Sequence, residues 1–300
     1  MKIVEMKQLS ILCLTVGVFI LTSCTSSDEP QYPVFMQPAS IKAMDANGAN
    51  QTFEYDDYGR IVSWDCVSNS PNSSASYSAH YSYPDENTIK ITAEETVKES
   101  WVSQQRVFEE TIQMKNGRAS QAQGTLIFTQ TDDRTTQMQK TYRLVFDYIQ
   151  TGHLNTVEHS DVFGIGDDVK DNAWDNAWRW TNYLIWEDGN LKEFQDCQGN
   201  STYQSTQYEY SGDKVSYPVI IPMVINNAHH LPLYMQGVFG LNSVNLVKSA
   251  TSFDHNANLT FARQYSYEFE QGRISKYTET ILTKNTYYNP LTYTVTWTEK

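Results

Sequence analysis

The chain has 300 residues, of which 22 are Lys or Arg and 35 are Asp or Glu, for a formal net charge of −13. An acidic chain without a Lys/Arg cluster cannot neutralise a run of phosphates, which excludes nucleic acid as a partner. With 40 % apolar residues and 20 tyrosines it can bury a sizeable core, as one large β domain or two ordinary ones.

Residues 1–24 combine a basic start (Lys2, Lys7), an apolar run over residues 11–21 and the sequence Leu21-Thr22-Ser23-Cys24. The run is well short of the roughly 20 residues that cross a bilayer as a helix, and small residues and a cysteine close it. We read residues 1–23 as a lipoprotein signal peptide and Cys24 as the lipidation site, its palmitate-type acyl chains tying the mature protein to a bacterial outer membrane. Residues 24–38 (Thr25-Ser26-Ser27-Asp28-Glu29-Pro30, then Pro33 and Pro38) are too polar and proline-broken to pack and read as a flexible tether. The Ser-Asp-Glu start resembles the short acidic signal of surface-exposed Bacteroidetes lipoproteins, so either a periplasmic or a surface-exposed address is open.

Residues 39–300 read as a single β-barrel-like domain. One pattern recurs: an aromatic or apolar residue, a spacer, a large residue, polar residues, Gly, a polar residue and an aliphatic one, at residues 53–61, 184–191, 208–215 and 267–274. Period-two alternation followed by glycine is a β-hairpin signal, because glycine supplies the positive φ of a tight turn. The expected turn glycines are Gly59, Gly117, Gly152, Gly189, Gly212 and Gly272, with Pro84-Asp85-Glu86-Asn87 as a turn without glycine. Tyr142, Leu144, Phe146 and Tyr148 alternate with polar partners, as do Tyr77, Ala79, Tyr81 and Tyr83, so one face is dry and the other wet. The expected fold is all-β: an antiparallel meander of about 12–14 strands closed or strongly curled into a barrel, which removes exposed edges.

Two stretches break the pattern. Residues 161–180 are Asp/Asn-rich and carry Trp174, Trp178 and Trp180. Residues 219–248 are apolar and proline-broken, hold His229-His230 and Gly237-Val238-Phe239-Gly240, and read as a connection packed inside or across an end of the barrel. Cys66 and Cys197 are the cysteines of the folded body; an oxidising envelope permits a bridge between them, and two buried free thiols is the favoured reading.

The specific signals for zinc hydrolysis, serine hydrolysis and nucleotide binding are absent from the sequence, and no catalytic residues, metal or cofactor are assigned. Asp56-Asp57, Glu94-Glu95 and Asp167-Asp168 read as turn and surface pairs. Asp254-His255-Asn256-Ala257-Asn258 reads as a turn rather than a calcium loop. His229 and His230 are adjacent, which sends them to opposite sides of an extended chain and argues against a shared metal. Trp174, Trp178, Trp180 and Trp186 are the candidate ligand-binding residues, since aromatic platforms at a barrel mouth stack on sugar rings or apolar ligands; core packing is the alternative.

The lipobox, the aromatic-rich hairpins with Trp186-Glu187-Asp188-Gly189-Asn190-Leu191, the Gly237–Gly240 segment followed by Asn245-Leu246, and the final Tyr/Thr-rich strands resemble a family of uncharacterised Bacteroidetes lipoproteins, a domain of unknown function with a porin-like barrel fold. That resemblance implies the fold and an envelope address and carries no activity. The terminal Val295-Thr296-Trp297-Thr298-Glu299-Lys300 lacks the closing aromatic usual in outer-membrane barrels, which favours a water-soluble barrel over a pore. The functional expectation is therefore a lipid-anchored, non-enzymatic binding or structural component, with a glycan or apolar ligand. The alternatives are an enzyme acting on envelope or dietary polysaccharide and an outer-membrane pore; the sequence leaves the oligomeric state open.

Overall fold

The computed structural model describes residues 37–44, 48–70, 73–99, 101–132, 134–164, 171–199, 201–214, 227–283 and 286–298. The expected signal peptide, Cys24 and residues 24–36 of the expected tether lie outside the described residues, as do Asp167, Asp168 and residues 219–226 of the inserted connection. Gln37 and Pro38, at the end of that tether, are buried parts of the barrel.

The strands are β1 (Pro38–Ala43), β2 (Ala49–Tyr55), β3 (Ile61–Ser70), β4 (Ser73–Asp85), β5 (Thr88–Glu99), β6 (Ser103–Lys115), β7 (Arg118–Thr131), β8 (Thr135–Tyr148) and β9 (Leu154–Gly164). They continue as β10 (Trp178–Glu187), β11 (Asn190–Gln198), β12 (Ser201–Lys214), β13 (Asn245–Asp254), β14 (Leu259–Glu270), β15 (Arg273–Thr283), β16 (Thr286–Tyr287) and β17 (Leu291–Trp297). Each lies antiparallel to its neighbours, and β1 closes the circle by pairing with both β2 and β17, Ile41 standing opposite Val295. β16 and β17 both flank β15 and form one interrupted stave, so the barrel has sixteen staves. Closure pairs both ends of the meander, the arrangement expected from the sequence.

Alternation decides which side each residue faces. β5 buries Ile89, Ile91 and Ala93 and turns Lys90, Thr92 and Glu94 to the outside. β8 does the same with Tyr142, Leu144 and Phe146 against Arg143, Val145 and Asp147, and β4 with Tyr77, Ala79 and Tyr81 against Ser78 and His80. On these strands polar residues predominate outside, and the aromatic and aliphatic core lies inside.

Hairpins at one end of the barrel use the expected glycines. Asn116-Gly117, Asp188-Gly189 and Gln271-Gly272 each have two successive positive φ angles (53° and 73°, 50° and 75°, 51° and 76°), which is the type I′ geometry whose twist matches the strands. Gly212 differs from expectation: it lies inside β12, which runs on to Lys214. The count of staves exceeds the expected 12–14 because some connections at the other end, such as those between β5 and β6 and between β7 and β8, carry no glycine in the sequence to mark them.

From Asn227 on, the inserted connection between β12 and β13 packs inside the barrel. A 3-10 turn (Ala228–His230) leads into α1 (Leu231–Met235), and His229, His230, Leu233 and Phe239 are at most 1 % exposed. Phe239 packs on Phe146 and Tyr234, with ring centroids 5.0 and 4.2 Å away. The chain then leaves along the glycine-turn end, tacked to one hairpin after another: Ala119 N–H donates to Val238 O (2.8 Å), Leu241 N–H to Gly152 O (3.1 Å) and Val244 N–H to Gly189 O (3.1 Å). Gln236 Nε2 reaches Gly59 O at 2.8 Å, and Gln37 Nε2 reaches it at 2.7 Å, so the point where the chain enters the barrel lies at this same end.

A buried carboxylate between plug and wall

Glu110 sits in β6 where Phe108, Ile112 and Met114 set the inward register, and it follows them inward. Opposite it in β7 stands Gly124. The missing side chain leaves room for Tyr142 from β8, whose hydroxyl donates to Glu110 Oε2 at 2.5 Å. From the plug, Asn227 Nδ2 donates to the same oxygen at 3.2 Å, His229 Nε2 lies 3.2 Å from it, and His230 Nε2 lies 2.5 Å from Oε1. Glu110, His229 and His230 side chains have no solvent exposure.

Both histidines reach one carboxylate, correcting the expectation that adjacency separates them. That expectation presumes an extended backbone. The segment is instead a 3-10 turn, where neighbouring side chains diverge by roughly 120° rather than 180°. The turn is braced from β4: Tyr81 hydroxyl donates to His229 O, and Tyr77 hydroxyl lies 2.7 Å from His229 Nδ1. The His229 ring also meets Phe108 edge-on at 5.1 Å.

Burial raises the Glu110 pKa, but the His230 and His229 imidazoles and their hydrogen bonds outweigh it and hold the carboxyl well below the usual carboxylate range. Burial lowers the His229 pKa against the pull of Glu110. Burial, then the Glu110 charge and its hydrogen bond, push the Tyr142 hydroxyl far above its ordinary pKa, so it stays a donor. An ionised carboxylate in this setting is stable only with all its partners in place, and four of them converge here. Chemically, the centre fastens the plug to the wall. Nothing in the sequence marks Glu110 apart from neighbouring acids except its slot: a charge in the inward register of an otherwise apolar strand, with a His pair in the inserted connection.

The four candidate tryptophans do not form one platform. Trp186 lies toward the plugged end, donating through Nε1 to Leu154 O at 2.6 Å with its ring 4.3 Å from His153. Trp174, in the 3-10 turn Asp171–Asn176, lies under the Arg143 guanidinium at 4.5 Å, on the outward register of β8. Trp180 stacks on buried His159 (4.5 Å, 11°), and Trp178 is 56 % exposed at the rim. Only Trp178 and Trp180 share a face of one strand near the mouth. Other exposed aromatics gather at that rim on separate hairpins: Trp101, Phe163, Tyr203 and Tyr288.

A polar belt lines the inside between plug and mouth. Lys140 Nζ pairs with Asp161 Oδ2 at 2.8 Å, His159 Nε2 is 2.6 Å from Asn182 Oδ1, and Thr206 and Ser252 hydroxyls meet at 2.7 Å. Across β14 and β15, Arg263 pairs with Glu279 at 3.3 Å, and Tyr265 donates to the same carboxylate at 3.2 Å. Cys66 and Cys197 are both free thiols. Asp56 accepts hydrogen bonds from Tyr58 N–H, Arg60 N–H and Arg60 Nε, and Asp254 from Asn256 and Asn258 N–H, so both are turn-forming acids. Glu94 points outward, whereas Glu95 faces inward and pairs with Arg106 at 2.6 Å.

No family model matches the chain, and no curated protein does. Among solved structures, the chain resembles a porin-like protein from Bacteroides vulgatus ATCC 8482, with TM-score 0.55 and 12 % identity over 88 % of this chain and 99 % of that one. It also resembles a porin-like protein from Bacteroides uniformis ATCC 8492, with TM-score 0.52 and 11 % identity over the same shares. At such identity the likeness is one of fold: a porin-like barrel.

Proposed function

We propose that the protein is a water-facing, internally plugged barrel held at the outer membrane by acyl chains on Cys24, and that it serves as a non-enzymatic binding component of the cell envelope. One observation carries this reading, the polarity of the wall. A membrane-spanning barrel shows an apolar band to lipid and a polar lumen. Here strand after strand turns Lys, Glu, Asp, Thr and Gln outward and packs aromatic and aliphatic residues inward against a plug.

The chain enters the barrel at Gln37, on the plugged end. The exposed aromatics Trp101, Trp178 and Tyr203 stand at the opposite rim. Trp178 and Trp180 with the polar belt below them suit a glycan, whose ring faces stack on aromatics while its hydroxyls hydrogen-bond to paired charges.

Expression without residues 1–24 tests the tether. A barrel of this polarity stays folded in solution without detergent and gives no conductance steps in a lipid bilayer; a requirement for detergent, or stable ion conductance, contradicts the reading. On a glycan panel, retention without cleavage supports a binder, and turnover lost in carboxylate variants supports the enzyme instead.

A further inference from the structure

Glu110 carries the one fully buried carboxylate of the described residues that faces two imidazoles and no Lys or Arg. One oxygen and two Nε2 atoms, all within 4.8 Å of one another, converge from two elements far apart in sequence. We propose that Glu110, His229 and His230 hold a divalent first-row metal ion, with zinc the best chemical fit, which staples the plug to the barrel wall.

The donor set is the argument. Two imidazole nitrogens and a carboxylate oxygen are donors that suit zinc, and the second Glu110 oxygen, in the same dry pocket, can complete a four-ligand set. A 2+ charge also compensates a carboxylate that no Lys or Arg reaches. Coordination needs the Nε2 lone pair on each ring, so the ring proton resides on Nδ1. For His229 the Tyr77 oxygen stands 2.7 Å from Nδ1, placed to accept that proton and fix the ring. His230 Nδ1 has no partner among the described residues, so no hydrogen bond there holds the ring in the opposite tautomer. The Tyr142 hydroxyl, 2.5 Å from Glu110 Oε2, orients the carboxylate from the other side.

The separation of 2.5 Å between His230 Nε2 and Glu110 Oε1 is that of a direct hydrogen bond. Two ligands on one tetrahedral zinc, each at about 2.0 Å, stand about 3.3 Å apart, so loading widens this contact by less than 1 Å. A rotation of the Glu110 carboxylate supplies that movement. The proposal goes beyond the binding role above: a plug fastened by hydrogen bonds alone still seals the barrel.

The test uses the full chain stripped with a chelator, then dialysed against zinc chloride. One zinc retained per chain, a thermal midpoint raised by several degrees, and cobalt substitution giving the visible d–d bands of a low-symmetry nitrogen/oxygen site are the expected results. His230→Gln abolishes retention, whereas the exposed-site control His80→Gln with His255→Gln keeps it. Folded wild-type protein retaining no stoichiometric zinc overturns the proposal, as does retention undiminished in His230→Gln. Should His230→Gln fail to fold, imidazole nitrogen NMR of the wild type decides: zinc must move both rings to the Nδ1–H tautomer, and an unchanged spectrum overturns the assignment.

Discussion

Gly124 and Tyr142 compete for one volume: a Cβ on residue 124 would stand 2.6 Å from the Tyr142 hydroxyl oxygen and equally close to Glu109 O. Glycine in the middle of a strand weakens it, and here the absent side chain is what lets Tyr142 reach Glu110. Gly124→Ala should cost about 1–3 kcal/mol through overpacking and a displaced Tyr142. The urea unfolding midpoint reads this; an unchanged midpoint would mean that the tyrosine is not needed where it lies.

Removing the carboxylate leaves four donors facing nothing. Glu110→Ala should lose about 3–5 kcal/mol, the range for breaking a buried charged centre by deleting one partner. Residues 227–244 should then become the first site of proteolytic nicking, ahead of the strand hairpins, which peptide mapping detects.

The tryptophans separate by position. Trp186→Ala removes a partly buried hydrogen bond to Leu154 O and the contact with His153, and should cost about 3 kcal/mol. Trp178→Ala, at the rim, should change stability by no more than about 0.5 kcal/mol while weakening retention on a glycan panel. Equal losses of stability in the two variants would mark Trp178 as core.

His159 links stability to pH. Burial lowers its pKa from 6.5 to about 4, partly countered by the hydrogen bond to Asn182. Above pH 6.5 the ring is neutral folded and unfolded, so it contributes no pH dependence. As pH falls below 6.5 the unfolded chain takes up the proton first, and stability drops by about 3 kcal/mol before levelling near pH 4. His159→Gln should flatten that part of the stability profile, and the ring protons of His159 should titrate near pH 4 in NMR.

Cys66 offers a chemical probe of the same burial, which raises its thiol to about 11. Alkylation in the native state should therefore stay slow through pH 8 and quicken only in strongly alkaline solution.

The sequence makes the wall of this barrel legible because a strand declares itself through period-two alternation, and Tyr142-Arg143-Leu144-Val145-Phe146 does so within five residues. Asn116-Gly117 and Asp188-Gly189 declare their turns just as locally. Gly212 misleads because a glycine also fits within a strand, and β12 simply continues past it to Lys214. The carboxylate centre is illegible for the opposite reason: Glu110 and His230 are 120 positions apart, and only closure of the barrel around the connection brings them together. The extended-chain reading of His229-His230 fails at backbone level, since Pro232 stands in the first turn of α1 just after them and favours a helical turn. The tryptophans divide because residues 174, 178, 180 and 186 span a loop and a whole strand, hence both ends of the barrel.

Hydrogen exchange of the connection between β12 and β13 tests most directly whether the barrel is sealed by its own chain. With residues 228–240 held inside by Glu110, the amides of His230, Val238 and Gly240, each bonded to a backbone carbonyl, should exchange as slowly as those of β6 and β8. Complete exchange of that segment within seconds, while the strands stay protected, would contradict the account and leave an unplugged barrel.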